Sequence, residues 1–142
     1  MTIENPDMRR VMFRFLMDLA RSLARGKESP TPVRVDRLMV LASVALGTIE
    51  RRPFKAQKLA DYTGMARTTV LRRLADLEEE GWIEYDAKGH VLVRPERING
   101  DRVSQVCDRM STLIHRAHYE LLELERKENK TAQSGHCNCR RD

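Results

Sequence analysis

Residues 67–83, RTTVLRRLADLEEEGWI, have the apolar spacing of an amphipathic helix but an unusual order of charges. The basic side chains come first and the acidic ones last: Arg67, Arg72 and Arg73 precede Asp76, Glu78, Glu79 and Glu80. The partial charges at helix ends favour the opposite order, so each misplaced charge forgoes about 0.3–1 kcal/mol when it is exposed. Guanidinium groups and threonine hydroxyls bind phosphates and base edges, so the basic front indicates a nucleic-acid ligand.

At about 100° per residue, the apolar and polar side chains of this helix separate onto opposite sides. The apolar side carries Val70, Leu74 and Leu77, with Leu71 at its margin. The opposite side carries Thr68, Thr69, Arg72 and Asp76, with Arg67 in the first turn and Arg73 flanking the exposed face. A recognition helix that enters the major groove N-terminus first needs this polarity, because its early residues reach base edges.

The prediction for individual contacts starts with Arg72. A guanidinium binds O6 and N7 of guanine bidentately, which gives about 1–3 kcal/mol of discrimination, so we expect Arg72 to contact a base. The other DNA contacts predicted here are Arg67 and Arg73, together with Thr68, Thr69 and Gln57, which are directed at phosphates or thymine methyl groups. The alternative is a solvated face on which Arg72 and Arg73 pair with Asp76, at about 0.2–0.5 kcal/mol for each pair.

Basic charge is concentrated around this helix. Residues 51–73 contain seven basic residues and one acidic residue, an excess of +6, whereas the whole chain of 142 residues has a net charge of +5 and a pI near 9.4. The chain is 41% hydrophobic and 33% charged, which is typical of one folded domain with a real core. The charge distribution favours a polyanionic partner.

The remaining elements are predicted mainly from apolar spacing and from glycine and proline signals. We expect a helix over residues 5–25, a linker over 26–33, a central buried helix over 34–51 and a short helix over 55–62. After the helix that begins at Arg67 and ends before Gly81, we expect a β-hairpin formed by WIEY and HVLV around DAKG. A long helix over 101–128 and a polar, disordered tail over 129–142 complete the chain.

Two short helices, a glycine turn and a hairpin are the parts of a winged helix-turn-helix. Ala60, Gly64 and Val70 stand at the spacing where such motifs place a small residue for a close helix crossing, a turn glycine with positive φ and a packing aliphatic. Residues 55–93, KAQKLADYTGMARTTVLRRLADLEEEGWIEYDAKGHVLV, resemble the DNA-binding core of MarR-type winged-helix regulators. The resemblance implies a mainly α fold with a small β-hairpin wing, in which residues 34–98 bind DNA.

The chain departs from that family at three places. Ala66 and Lys55 stand where MarR-type proteins usually have polar N-cap residues, so both helix starts lack a side-chain cap. The hairpin turn, DAKGH, is shorter than the family's wing and lacks its Asp-x-Arg signature. We expect Lys88 and His90 at the hairpin tip to touch the DNA backbone or minor groove.

The terminal helices carry apolar stripes outside the minimal winged helix. In MarR-like proteins such helices interlock across a two-fold axis, so the resemblance implies a homodimer that binds a pseudo-palindromic operator. The predicted dimerisation residues are Phe15, Leu19, Val106, Met110, Ile114 and Leu121. The alternative is that both helices pack on their own domain.

Other residues with reactive or metal-binding side chains receive plainer interpretations. The group His136, Cys137 and Cys139 lacks the usual zinc spacing and further ligands, so we predict no metal and no cofactor. Cys107 lies in an apolar stripe and is expected to be a small core residue. His115 and His118 are expected to be exposed or to lie in an interface.

The sequence therefore predicts a homodimeric transcriptional regulator that binds double-stranded DNA. The alternative is a winged-helix adaptor that binds protein and no DNA. We expect no enzyme, because nucleophile motifs, glycine-rich phosphate loops and paired acids are missing. Arg14 and Asp18 interrupt any secretory signal and the longest apolar run is too short for a bilayer, so we expect a cytoplasmic protein without membrane contact. A small-molecule effector and its identity are not predicted by any pattern.

Overall fold

The computed structural model describes residues 5–24 and 34–134, which fall into two compact units. The winged-helix unit comprises the described residues from 34 to 104, and the helical unit comprises residues 5–24 and 105–134. The described chain forms helix α1 (Pro6–Ala24), α2 (Val35–Ile49), α3 (Ala56–Thr63) and α4 (Arg67–Glu79), strands β1 (Ile83–Tyr85) and β2 (Val91–Val93), and helices α5 (Pro95–Ile98) and α6 (Asp101–Ser134). This mainly helical winged-helix architecture with one two-stranded hairpin confirms the predicted fold class.

The core of the winged-helix unit is built from one face each of α2, α3 and α4 and from the hairpin. Its buried residues are Val40, Val44, Leu59, Ala60, Val70, Leu74, Leu77, Ile83, Val91 and Val93. The predicted apolar side of α4 is therefore the side that is buried. Leu71, predicted at the margin of that side, is 44% exposed.

Helix α2 is buried on one side only, so the prediction of a central buried helix is wrong for its other side. Its buried residues are Val40, Ser43, Val44 and Gly47, whereas Val35 and Ile49 are 71% and 67% exposed. Ser43 is buried because its hydroxyl donates a hydrogen bond to the Met39 carbonyl at 2.7 Å, which satisfies it inside the core. Apolar periodicity does not distinguish a face that packs within the domain from one that faces outward.

The turn between α3 and α4 has the geometry that the sequence predicts. Gly64 has φ of +69°, and a Cβ at this position would meet no atom within 4 Å, so the glycine is needed for its backbone conformation alone. Ala60 and Val70 are buried at the helix crossing, with 5% and 0% exposure. Neither Lys55 nor Ala66 caps its helix through a side-chain hydrogen bond, as predicted.

Helix α4 ends in a Schellman motif that leads directly into the hairpin. Gly81 has φ of +75°, its N–H donates to the Glu78 carbonyl at 3.0 Å, and the Trp82 N–H donates to the Leu77 carbonyl at 2.9 Å. This confirms Gly81 as the helix-ending residue. The motif fixes the direction in which the chain leaves α4 for β1.

The hairpin pairs Ile83 with Val93 and Tyr85 with Val91 in antiparallel register. Phe54 extends the hairpin through an isolated antiparallel bridge to Val91, whose N–H donates to the Phe54 carbonyl at 2.8 Å. Sequence reasoning missed this bridge. A single bridging residue next to a proline has no alternating pattern. Helix α5 was also missed, although Pro95 at its first turn is a usual helix-start signal.

The helical unit contains α1 and most of α6. Val11 is the buried apolar side chain of α1, and Arg14 pairs with Glu120 of α6 at 3.6 Å. Asp18 of α1 also pairs with Arg116 of α6. These contacts place α1 against α6 within the unit.

Two predictions for the C-terminal part of the chain are wrong. Helix α6 continues to Ser134, so residues 129–134 are helical rather than part of a disordered tail. Cys107 is exposed and is not a core residue. The apolar stripe that contains it lies on α6, and none of the residues of α6 is buried. Residues 135–142 lie outside the described chain, and so does the group His136, Cys137 and Cys139.

Candidate nucleic-acid interface

The front of α4 presents basic and hydroxyl side chains without internal partners. Arg67, Thr68 and Arg72 are exposed, and Thr69 is half-buried. Over the described residues, no acidic side chain forms an ion pair with Arg67 or Arg72. Arg72 does not pair with Asp76, so the ion pair that the solvated-face alternative predicts at Arg72 is not formed, although its side chain is exposed as that alternative also requires.

The backbone at the same end of α4 also lacks a partner from its N-cap side chain. Ala66 is the N-cap residue and offers no side-chain acceptor to the first amide groups of the helix. Such amides, with the positive end of the helix dipole, favour an anion such as a phosphate. The front of α4 therefore combines guanidinium, hydroxyl and amide donors on one exposed surface.

Arg73 does not flank the exposed face, and this prediction is wrong. Its side chain is only 8% exposed, with Nε bonded to Asp36 of α2 at 2.9 Å and an NH group bonded to Asp76 at 3.0 Å. The Arg73–Asp76 pair belonged to the solvated-face alternative, and it forms, but in a largely buried setting. Asp36 lies 37 positions earlier in the chain, so no local pattern in the sequence indicates this pairing.

The electrostatics of this pair stabilise both charged forms. Partial burial acts to raise the pKa of Asp36, but hydrogen bonds from Arg73 and from the Arg37 N–H outweigh it and hold the pKa below its usual value. The hydrogen bond to Asp36, with a smaller contribution from Asp76, raises the pKa of the Arg73 guanidinium. Both shifts favour the charged form of each group.

The acidic rear of α4 is held by arginines from two other helices. Arg37 of α2 pairs with the Glu80 carboxylate. Arg97 of α5 donates to the Glu80 carbonyl at 2.8 Å and to the Gly81 carbonyl at 3.3 Å, and its guanidinium lies 5.0 Å from the centre of the Trp82 ring. Cations next to a helix C-terminus are stabilising, so these arginines offset the negative charge at Glu80 and at the last carbonyl groups of the helix.

On α3, the residue predicted to touch DNA is exposed and next to further basic side chains. Gln57 donates a 3.3 Å hydrogen bond to Asp61, and Lys55 and Lys58 are exposed beside it. The Lys58 ammonium lies 5.8 Å from the centre of the Phe54 ring. The region keeps the basic character that the sequence shows between residues 51 and 73.

At the tip of the hairpin, Lys88 is exposed and His90 is not free. The Asp86 carboxylate accepts hydrogen bonds from the Lys88 and His90 N–H groups, each at 2.8 Å, and contacts the His90 ring at 2.9 Å. The hydrogen bond from the His90 N–H, together with smaller ones from its ring and from Lys88, holds the pKa of Asp86 below its usual value against the opposing effect of burial. The tip is thus a hydrogen-bonded turn on which Lys88 is exposed.

The predicted dimerisation residues all lie in the helical unit. Ile114 is 51% exposed, and the other five, namely Phe15, Leu19, Val106, Met110 and Leu121, are half-buried. Among the described residues no three His, Cys, Asp or Glu side chains come together as metal ligands. His115 and His118 are exposed on α6.

Sequence comparison assigns the family. Residues 12–99, more than half of the chain, match the model of the Crp-like helix-turn-helix domain. The chain belongs to this Crp-like helix-turn-helix family. It is accordingly a DNA-binding winged-helix protein of the transcription-regulator class, and the helix-turn-helix assigned from Ala60, Gly64 and Val70 is confirmed. No curated protein matches the chain in sequence.

Solved structures show the same fold at low sequence identity. MepR, a transcription regulator of a Staphylococcus aureus multidrug efflux pump, is 14% identical with a TM-score of 0.58, over 89% of this chain and 94% of MepR. A MarR-like transcriptional regulator from Thermotoga maritima is 12% identical with a TM-score of 0.56, over 94% and 97%. YusO from Bacillus subtilis is 17% identical with a TM-score of 0.56, over 89% of each chain.

None of the helices in the described parts of the chain combines the length and apolar character that a bilayer crossing requires.

Proposed function

We propose that this protein is a MarR-like transcriptional regulator that binds a pseudo-palindromic site in double-stranded DNA as a homodimer. The observation that carries the proposal is the front of α4, where Arg67, Thr68 and Arg72 are exposed and both arginines lack an acidic partner in the described chain. An unpaired arginine surface at an uncapped helix start is poorly explained by stability alone. It is well suited to the major groove.

In this mechanism α4 enters the major groove with its N-terminal end first. Arg72 reads a guanine, while Thr68 and the first amides of α4 contact phosphates. Thr69 is half-buried, so it makes a smaller contact with DNA than Thr68 does. Gln57 contacts the DNA backbone from α3. Lys88 contacts the backbone from the hydrogen-bonded turn of the wing. Arg73 is removed from the set of direct contacts because its guanidinium is buried against Asp36 and Asp76.

Exposed apolar surface on the helical unit supports the homodimer. Four large side chains of α1 are between 52% and 66% exposed, namely Met12, Phe13, Leu16 and Met17. A single soluble chain rarely keeps so many neighbouring apolar residues in water, so a second copy would cover them together with the predicted residues of α6. Two recognition helices would then meet half-sites about 10 bp apart, and the two-fold symmetry of the dimer would require a pseudo-palindromic site.

The test of DNA binding begins with duplexes selected from a random pool by the purified protein. We expect Arg72→Ala to lose about 1–3 kcal/mol of discrimination at one base pair. Lys88→Ala should weaken all duplexes similarly and lower the slope of log affinity against log salt concentration by about one. Arg126→Ala on α6 is the matched control, because it removes the same charge from a side chain outside the helix-turn-helix that is already paired with Glu123. Binding that ignores salt, or that survives both changes, would contradict the proposal.

The test of the homodimer is the mass in solution. Sedimentation should give twice the chain mass for the unaltered protein. Phe13→Glu, in the exposed apolar surface of α1, should lower that mass to one chain. The circular dichroism spectrum of the variant should be unchanged, which would show that it still folds. A monomeric starting protein would remove the homodimer from the proposal and leave the DNA contacts of α4 to be judged separately.

A protein-binding adaptor is the second candidate, and the apolar residues of α6 favour it. Tyr119 is 63% and Ile114 is 51% exposed, so α6 presents contact surface of its own. Retention on immobilised random duplex separates the two functions, because an adaptor without DNA binding would pass through at the salt concentration where a regulator is held.

A further inference from the structure

Arg73 is the one charged residue among residues 5–24 and 34–134 that is buried. It follows Arg72 directly, yet the two arginines have opposite surroundings. Arg72 is exposed, whereas Arg73 has 6% of its surface exposed. Consecutive residues on a helix point about 100° apart, so one arginine faces outward while the next turns towards α2.

The surroundings of Arg73 join α4 to the first turn of α2. Its Nε donates to one oxygen of Asp36 at 2.9 Å, and the other oxygen of Asp36 accepts the Arg37 N–H at 2.8 Å and lies 3.4 Å from the Nε of Arg34. Its NH group donates to Asp76 of the same helix at 3.0 Å. The planar guanidinium therefore has fixed partners on two sides, which sets both its position and its orientation.

Stability does not explain why this position carries an arginine. Removing two charges from water costs about as much as their pairing returns, and apolar residues of similar volume often replace buried ion pairs without loss. The neighbours at the core positions of α4, Val70, Leu74 and Leu77, are apolar and fully buried. A directional ion pair instead restricts the orientation of the helix. Its hydrogen bonds favour one rotation of the helix about its own axis, whereas apolar packing tolerates several.

We propose that Arg73 is a positioning residue for DNA recognition: bonded to Asp36, it fixes the rotation of α4 about its axis and so the direction in which Arg72 points. The inference rests on the proposed function, since it requires that α4 reads DNA. A bidentate contact to a base tolerates errors of only about 0.5 Å and 10–20°. A small rotation of α4 therefore affects base reading far more than it affects attraction to phosphates.

The test compares two measurements on the full chain, using the duplex selected by the unaltered protein. The first is the specificity ratio, which is the affinity for that duplex divided by the affinity for random duplex. The second is the slope of log affinity against log salt concentration, which counts phosphate contacts at about 0.9 for each one. The variants are Asp36→Asn, Arg73→Met and Arg73→Lys, with Arg126→Ala as the control.

We expect Asp36→Asn and Arg73→Met to lower the specificity ratio about tenfold or more, with an unchanged salt slope. The combined variant should lose no more than Arg73→Met alone, because both changes break one interaction. Arg73→Lys should be intermediate, since it keeps the charge but not the planar fork. Arg126→Ala should leave the specificity ratio unchanged.

Two results would overturn the inference. A salt slope that falls by about one in Arg73→Met would make Arg73 itself a phosphate contact. A lower melting temperature with an unchanged specificity ratio would make it a structural residue only. If Arg73→Met does not fold, Asp36→Asn, which leaves α4 unaltered, decides between these outcomes. Failure of the unaltered protein to prefer any duplex would instead overturn the proposed function, and the inference with it.

Discussion

The two halves of α4 handle their charges in opposite ways. At the rear, acidic and carbonyl groups are met by Arg37, Arg73 and Arg97, and a Schellman motif closes the helix. At the front, Arg67 and Arg72 have no acidic partner in the described chain, and the N-cap residue is an alanine. Both halves have charges that oppose the helix dipole, but only in the rear half are acidic side chains, Asp76 and Glu80, paired with arginines of the protein itself.

This difference indicates where the chain departs from what stability requires. Local rules for capping and charge are usually broken at functional surfaces and satisfied elsewhere. The rear of α4 is attached to α2 and α5 and so serves as the fixed end. The front is left for a ligand that brings its own negative charge, which is the reason for assigning recognition to this end.

Reversing one charge in each half should give the largest contrast. We expect Arg72→Glu to weaken binding to the selected duplex by roughly 100-fold or more, because a base contact is lost and a negative charge faces the phosphates. Glu79→Lys, on the exposed rear, should change affinity by only a few fold and in the favourable direction. Fluorescence anisotropy with a labelled duplex measures both. Equal effects from the two changes would mean that the halves do not differ in their distance from DNA.

Arg97→Ala tests the attachment of the rear half. It removes two hydrogen bonds from a charged donor to carbonyl groups and the contact with Trp82, so we expect a loss of about 1–3 kcal/mol in the free energy of unfolding. Trp82 is the only tryptophan in the chain, so its emission reports the same site directly. Arg102→Ala, an exposed arginine on α6, is the control. Unchanged stability and emission in Arg97→Ala would show that the rear is held without α5.

The pH dependence of the free energy of unfolding tests the ion pair between Asp36 of α2 and Arg73 of α4, and we expect a smaller effect there than from Arg97→Ala. The pKa of Asp36 in the folded protein lies below its unfolded value near 3.8. The contribution of Asp36 to the free energy of unfolding is therefore fully present above the unfolded pKa, and it is lost as the pH falls through the folded pKa. Urea unfolding at about pH 5 and about pH 3 should show a smaller pH effect in Asp36→Asn than in the unaltered protein. An identical pH effect in both would remove Asp36 from the groups that stabilise α4.

The helices and strands of the winged-helix unit could be predicted from the sequence, because each is indicated by residues close together in the chain. Gly64, Gly81 and the alternation in the hairpin each depend on residues a few positions apart, and the structure has them where expected. The polar front of α4 was likewise predicted, since its residues follow helical spacing.

What sequence reasoning missed depends on distant partners. The burial of Arg73 is decided by Asp36, and the support of the rear by Arg37 and Arg97, which lie 43 and 17 positions from Glu80. Helical spacing places an arginine at an angle on α4 but does not tell whether another helix covers that angle. The exposed faces of Val35 and Ile49 on α2 were misjudged for the same reason.

The smallest expected effect concerns the front half, where a serine at position 66 would supply the missing cap. Ala66→Ser should stabilise the protein by about 0.5–1 kcal/mol, because its hydroxyl accepts a hydrogen bond from an uncapped amide of α4. If that amide binds a phosphate, the hydroxyl competes for it, so affinity for DNA should fall slightly while stability rises. Lys55→Ser at the start of α3 is less suitable for this comparison, since it also removes a positive charge. A gain in both stability and affinity would show that the front amides of α4 take no part in binding, and that only its side chains distinguish the two halves.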